Sequence, residues 1–434
     1  MANVPAAGGP ARRSLEATLL VVSIAALAFN LRAAITSLPP VFPELQTELH
    51  LSSATITVLA ATPVLCFGAF SGMAAWLSRR FGEERVLFGA LIGVSAGLLL
   101  RGGLPRTLLF PGSVLALGSI AIMNVLLSSM IKRRWPERAG LLIGVYLTAL
   151  STGAVIASLV SVPLFNGSGG SVELTLGLWG LPAVAATLMW ITQLRYGPPP
   201  RHPATADETA ATASHPAAPG RPAGPRLYRY PLAWQVTAFM GLQSLLYYAA
   251  VSWIPELFRD RGDSASTAGV LLAVMGLGNL LTSLLIPTLA HRFASQQSLV
   301  APAVVLTAVG LAGALWAPLG SAVLWMLILG AAQGSSLGLG IFFTMARAPD
   351  PVTAASLSSL AQSVGYLVSA AGPLAVGFLR TATGSWTVPV VVLLVICVVE
   401  LTVGLLAGRD QMVPARRNPG SPAATSDSLP ADNR

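Results

Sequence analysis

The sequence predicts an all-α membrane protein: twelve transmembrane helices in two six-helix halves. Three observations carry that prediction. First, the 434-residue chain is 54% hydrophobic and only 10% charged, with a mean hydropathy of +0.70. Second, apolar stretches recur at about residues 17–39, 52–77, 84–101, 107–131, 139–164 and 173–194, and again at 230–256, 265–290, 298–317, 321–346, 352–379 and 386–407. Roughly 20 apolar residues are enough for a helix to cross a bilayer. Third, the second set repeats the first. Pro43-Glu44-Leu45 is answered by Pro255-Glu256-Leu257, and Leu77-Ser78-Arg79-Arg80-Phe81 by Leu289-Ala290-His291-Arg292-Phe293, both at an offset of 212. Met130 and Pro136 are answered by Met345 and Pro351 at an offset of 215. Three matches in order, each in the equivalent loop, mark an internal duplication.

The segments between these stretches divide the chain. Residues 1–16 are small, polar and Pro/Gly-bearing, and are expected to form a disordered cytoplasmic tail. Residues 17–194 form the first six-helix bundle. Residues 195–229, with Pro198-Pro199-Pro200, His202, Asp207, Glu208 and repeated Ala, Pro and Gly, read as a flexible cytoplasmic linker. Residues 230–407 form the second bundle, and 408–434 a polar cytoplasmic tail. The charge order of residues 12–29 is that of a signal peptide, but Arg32 and Pro39-Pro40 stand where a small-residue cleavage site would be. The stretch therefore reads as an uncleaved first helix.

The basic residues set the orientation. With the N-terminus inside, twenty of the 26 Lys and Arg fall in cytoplasmic segments. Arg101, Arg106, Arg259, Arg261 and Arg380 fall on the other side, and Arg32 lies within the membrane. That bias predicts both termini in the cytoplasm and a multi-pass protein of the plasma membrane.

The formal charge of +9 raises the possibility of a nucleic-acid partner, but the arginines sit in short clusters between apolar runs, with no aromatic interleaving. The partners expected are the lipid bilayer and a small-molecule substrate, with the protein as a monomer. The two cysteines, Cys66 and Cys397, lie within apolar stretches, so no disulfide framework or CxxC site is predicted. His50, His202, His215 and His291 all fall in loops, and no metal-ligand spacing, nucleophile elbow or phosphate loop occurs. Neither an enzyme, nor a cofactor, nor a metal site is expected.

The most informative stretch is Ala28-Phe29-Asn30-Leu31-Arg32-Ala33-Ala34-Ile35-Thr36, which puts an arginine near the middle of the first span. Placing arginine at a helix centre in a bilayer costs about 2.5–3.5 kcal/mol on insertion scales. Arg32 has too many apolar or small residues beyond it to snorkel out. On a helix, Ala25, Ala28, Phe29 and Thr36 share its face, a small-residue stripe suited to a cavity. One explanation is a structural arginine tied to carbonyls or a buried carboxylate. The other, preferred here, is a fixed positive charge for an anionic or strongly dipolar substrate.

Two parallel six-helix repeats joined by a long linker resemble the plan of the major facilitator superfamily. In that superfamily the loop after the second span carries Gly-x-x-x-Asp-Arg-x-Gly-Arg-Lys. Here Ala75-Trp76-Leu77-Ser78-Arg79-Arg80-Phe81-Gly82-Glu83-Glu84-Arg85 takes its place, keeping Arg80-Phe81-Gly82 but replacing the aspartate by Arg79. The resemblance gives Arg80 and Gly82 a part in gating. The antiporter pattern of drug exporters is poor: Gly144 and Gly153 keep a nine-residue spacing, but no Gly-Pro follows Gly153 before Pro163.

A narrower resemblance rests on four motifs in four spans. They are Asn30-Leu31-Arg32; Asn124-Val125-Leu126-Leu127 running into Ile131-Lys132-Arg133-Arg134-Trp135-Pro136-Glu137-Arg138; Gly241-Leu242-Gln243-Ser244; and Ala361-Gln362-Ser363-Val364-Gly365-Tyr366. Together they resemble the cyanate/2-nitroimidazole transporter family over residues 17–407, the linker excepted. The resemblance implies a carrier of small anionic or nitro-bearing solutes.

In this architecture spans one, four, seven and ten line the central cavity, and spans five and eleven flank it. The substrate-binding candidates are Arg32 and Asn30, Asn124, Gln243 and Tyr247, Gln333, Tyr146, and the pair Gln362 and Tyr366. Amides and phenols can orient a bound oxyanion or nitro group without adding charge, while arginine supplies two parallel donors. Helix–helix hydrogen bonding is the alternative for each of them. Glu400 is the only carboxylate well inside a span, a possible proton carrier that also reads as an interfacial residue near the cytoplasmic end. Glu256, at the outer end of span seven, is a gate candidate. The function expected is secondary transport of a small anionic or dipolar solute by alternating access, with a proton-coupled drug exporter of the same superfamily as the alternative.

Overall fold

The computed structural model describes residues 10–103, 106–196 and 227–413. Most of the expected tails and linker lies outside them. The helix expected for span one begins at Pro10, inside the stretch expected as a tail.

Twelve spans account for the helices. In the first half they are α1 (Pro10–Thr36), α2 (Ser53–Phe81), α3 (Glu83–Arg101), α4 (Leu109–Arg134), α5 (Ala139–Gly167) and α6, which is broken into Val172–Leu178 and Gly180–Tyr196. In the second half they are α7 (Pro231–Asp260), α8 (Ala265–Ala290), α9 (Gln297–Trp316), α10 (Ala322–Ala346), α11, broken into Pro351–Ser369 and Ala371–Thr383, and α12 (Thr387–Ala407). Ten of the spans are long and apolar enough to cross a membrane by length and composition alone. The other two are α3, whose 19 residues begin Glu-Glu-Arg and end in Arg101, and α7, which carries the polar series Gln243, Tyr247 and Tyr248.

Local chemistry marks the helix ends. Ser52 caps α2 by accepting from the Thr55 amide, and Ser264 caps α8 by accepting from the Thr267 amide. These caps satisfy amides that a helix start otherwise leaves free, and they stand at the same 212-residue offset as the sequence repeat. Gly82 joins α2 to α3 in one residue, at a φ of 82° that a side chain would strain. In α11 the break at Ala370 follows from Pro373, which has no amide to donate back to the preceding turn.

Packing repeats with the sequence. In the first half α1 lies against α5 and α6, α2 against α4, and α3 against α4 and α6. Adding six to each number gives the contacts of the second half: α7 with α11 and α12, α8 with α10, and α9 with α10 and α12.

The halves meet through α5 against α8 and α2 against α11. Those contacts concentrate at the end of the molecule opposite the termini. There a Cβ on Gly269 of α8 would lie 2.5 Å from the Ser158 carbonyl of α5, and one on Gly377 of α11 would lie 2.3 Å from Thr57 Oγ1 of α2. Ser252 of α7 donates to the Ala60 carbonyl of α2. Arg259 of α7 pairs with Glu44 at 2.8 Å and also reaches the Pro40 carbonyl. Toward the termini the same four helices expose Trp76, Leu141, Leu285 and Val352. The two halves are thus latched at the far end.

Candidate substrate site

Arg32 sits where the two halves converge. Small residues bring α1 to α5 there: a Cβ on Gly153 would lie 2.2 Å from the Phe29 carbonyl, and Thr36 donates to the Ala154 carbonyl. Backbone contact at this crossing sets Arg32 in depth and leaves its side chain half-buried. Its Nη1 donates to the Tyr247 hydroxyl at 2.6 Å, and its Cζ lies 5.2 Å from the centroid of the same ring. The titratable groups that act on the guanidinium are all tyrosines: Tyr247, Tyr248, Tyr366 and Tyr146. Among the described residues no carboxylate compensates this cation, and its single side-chain hydrogen bond is the one to Tyr247.

The tyrosines are held in a connected aromatic wall. Tyr247 and Tyr248 meet edge to face at 5.3 Å, and Phe67 of α2 packs on Tyr248 at 6.4 Å and on Tyr366 at 5.5 Å. Helices α7 and α11 approach through Gly241 and Gly365, where a Cβ on Gly241 would lie 3.1 Å from the Gly365 Cα. That glycine pair belongs to two of the four motifs singled out in the sequence, and it registers Tyr247 against Tyr366. Tyr146 donates to the Asn124 amide oxygen at 2.6 Å, tying α5 to α4 beside the site.

A cavity of about 930 Å³ lies against the same stretch of α1, walled by Val22, Ala25 and Phe29 of α1 and by Gly144, Thr148 and Thr152 of α5. Its lining is apolar and small.

The candidates fare differently. Arg32, Tyr247, Tyr366, Tyr146 and Asn124 converge. Gln362 is exposed one helical turn from Tyr366 and donates to Ser358. Asn30 does not join them: its amide donates to the Ala26 and Pro182 carbonyls, tying α1 to α6, and the residue is 2% exposed. Two residues apart on a helix is about 200°, so Asn30 and Arg32 cannot share a face. Gln243 and Gln333 are buried in the second half, where Gln243 donates to Ser244. Tyr248 and Phe67 were not anticipated. Arg101, expected in an outer loop, is buried at the end of α3 and donates to the Ala34 carbonyl and Ser37 hydroxyl, closing the end of α1. Glu400 is fully buried within the protein, about two turns from the Gly408 end of its helix.

The sequence matches the family described as Major Facilitator Superfamily over residues 20–373. The chain belongs to the major facilitator superfamily. Among its relatives is an uncharacterized transporter, YycB, of Bacillus subtilis (strain 168), 38% identical over 93% of this chain and 97% of that one. The 2-nitroimidazole transporter of Escherichia coli (strain K12) is 35% identical over 91% and 96%, and the cyanate transport protein CynX of the same strain is 28% identical over 85% and 91%. The fold resembles a bacterial homolog of the human lysosomal transporter Spinster in its inward-facing, unoccupied conformation, with a TM-score of 0.70 at 20% identity over 94% and 100% of the two chains. A D-xylose-proton symporter superposes with a TM-score of 0.66 at 16% identity over 91% and 96%. As a member of this superfamily the protein is a multi-pass secondary transporter that binds a small molecule within the membrane; it is not an enzyme.

The residues expected to gate a facilitator fold lie at its two ends. Arg80 is exposed, its guanidinium over the rings of Trp76 and Phe81, beside the Gly82 turn. At the far end the ion pair between halves uses Glu44 and Arg259, whereas Glu256 makes no ion pair among the described residues.

Proposed function

We propose that the protein carries a small anionic or nitro-bearing solute across the plasma membrane by alternating access, as a monomer with both termini in the cytoplasm. The observation that carries this reading is the charge at the site: Arg32 is a permanent cation whose nearest titratable neighbours are four phenols. An uncompensated guanidinium in a low-dielectric cavity is stabilised by an anion or by the oxygens of a nitro group. Its remaining donors match either one bidentately. A cationic drug meets the wrong sign.

The wall around it adds the second half of the specificity. Tyr247, Tyr248, Tyr366 and Phe67 present ring faces and edges, and the neighbouring apolar cavity is at the upper end of the range of about 300–1,000 Å³ usual for small-molecule sites. An aromatic ring bearing a carboxylate or nitro group uses both features; cyanate uses only the charge. The 2-nitroimidazole of the E. coli relative's name fits that description. So does the 4-hydroxy-benzoate named for a putative anionic permease of Thauera aromatica, which is 36% identical over 29% of this chain.

With the termini cytoplasmic, the Arg259–Glu44 end is the closed outer gate. Binding of 2-nitroimidazole, 4-hydroxybenzoate and cyanate to the purified protein tests the reading. Arg32→Lys keeps the charge but loses the fork, and is expected to weaken binding at least about tenfold, or 1.4 kcal/mol. Arg32→Gln is expected to abolish binding while the protein still inserts and folds. Unaltered binding in Arg32→Gln would sink the proposal.

A further inference from the structure

Glu400 is a carboxyl group with nothing around it to hold its charge. It lies eight residues into α12 from the Gly408 end, is 0% exposed, and faces the Ser336 hydroxyl of α10. Neither carboxyl oxygen makes a hydrogen bond of good geometry, nor does Ser336 Oγ. Gln333, one turn from Ser336 along α10, is 1% exposed, and its Oε1 is likewise unpaired. Three acceptor oxygens, two of Glu400 and one of Gln333, are thus buried with the Ser336 hydroxyl as the one donor facing the carboxyl group.

The cations on elements packed against α12 are engaged elsewhere: Arg347, just past α10 and 3% exposed, donates to the Ala407 carbonyl in the last turn of α12, about two turns from Glu400, and to the Gln296 amide oxygen. Helices α9 and α10 contain no charged or titratable residue at all. Those of α7 are Tyr247 and Tyr248, turned to Arg32, and Glu256, Arg259 and Asp260 at the far end; in the second part of α11 there is only Arg380, paired with Asp260. On α12 itself the titratable neighbour is Cys397, one turn away. An ionised carboxylate in such surroundings is strongly disfavoured, whereas a neutral acid is not. The neutral acid has one O–H to give and one carbonyl to receive, and a serine hydroxyl reciprocates both. As packing alone, leucine would fill the slot without that penalty.

The position connects to the substrate site. Gly404 of α12 sits against Phe239 of α7, with a Cβ at 2.8 Å from the ring. One turn farther along each helix come Glu400 and Gln243, and one turn beyond Gln243 is Tyr247, the partner of Arg32. An anion entering a negative-inside cell works against the membrane potential, and one proton carried with it makes the step electroneutral.

We infer that Glu400, with Ser336, is a proton-binding site in the core of the second half, loaded and unloaded once per transport cycle, so that the anion bound at Arg32 travels with a proton. This rests on the anionic-solute reading above. The step forms one O–H bond on Glu400 when a proton enters from the outer side and breaks it when the proton leaves to the cytoplasm.

The test uses the full chain in proteoliposomes. Infrared difference spectra between pH values at fixed sodium should contain a neutral-carboxyl C=O band in the wild type. That band should vanish in Glu400→Gln and shift in Ser336→Ala. With 4-hydroxybenzoate as probe and the outside acidic, Glu400→Gln should retain exchange at equilibrium but lose gradient-driven accumulation by roughly tenfold or more. A band that survives in Glu400→Gln overturns the inference. So does a band that follows sodium at constant pH, which makes the site a sodium site, or a variant that loses exchange and accumulation alike. If the wild type binds none of the probes, the substrate reading fails, and the infrared result alone decides whether Glu400 holds a proton.

Discussion

Arg32 donates a 2.6 Å hydrogen bond to the hydroxyl of Tyr247, 215 residues away in the other half of the molecule. The bond joins the two bodies that must rock past one another, and it occupies the cation when no substrate is present. Hydrogen bonds to charged groups contribute about 1.5–3 kcal/mol. Tyr247→Phe should therefore lower the unfolding temperature of the empty protein, and a saturating anionic substrate should restore it by supplying the missing acceptor. A thermal unfolding curve with and without substrate checks this. An empty variant as stable as the wild type would mean that the bond contributes nothing.

Gly144 and Gly153 are nine residues apart on α5 and should respond oppositely to a side chain. A Cβ at Gly153 meets the Phe29 carbonyl at 2.2 Å, while one at Gly144 has nothing within 4 Å. Gly153→Val should destabilise by about 1–3 kcal/mol as an overpacked contact and displace Arg32, reducing substrate binding as well. Gly144→Ala should leave stability unchanged. Equal effects at the two sites would contradict the packing described.

The Arg259–Glu44 pair lies between halves and is only partly screened, its side chains 23% and 15% exposed. Arg259→Ala should move the population toward the state open at the far end. Spin labels on exposed Thr47 and Thr383, one in each half, report the separation directly. A longer distance component that grows in the variant is expected; an unchanged distribution would remove the pair from the gate.

Orientation is checked by cysteine labelling from outside intact cells. A cysteine replacing Ser168, at the far end beyond α5, should react with an impermeant reagent, and one replacing Thr205 in the linker should not. The opposite pattern would invert the topology argued from the arginine bias.

The spans were readable because each is a long apolar run with few charges, and the repeat because its loops kept the same short words. The site was partly readable for the same reason. Arg32 announces itself as a charge in an apolar helix, and Tyr247, Tyr366, Tyr146 and Asn124 as polar groups in spans expected to face it. Phe67 carries no such signal, since an aromatic ring in an apolar helix is unremarkable until its neighbours are known. Arg101 looked like a loop residue because it ends an apolar run, and only the glycine-lined crossing of α3 with α4, where Gly97 meets the backbone of Ala116, shows that the run is buried to its last turn. Asn30 was misplaced for a reason the sequence already contained, its angle on the helix.

The contact at the far end is lopsided. Glu44 has a duplicate in Glu256, but the residue 212 positions before Arg259 is Thr47, whose hydroxyl is spent on the Pro43 and Glu44 carbonyls of its own helix. A molecule of exact internal symmetry would be bolted twice, and both bolts would have to slide before that end moved. Each additional bridge worth about 1 kcal/mol would slow that motion roughly fivefold. With one bridge in place of two, the internal symmetry is broken at the contact that holds the halves together there, and a single ion pair has to part for that end to move.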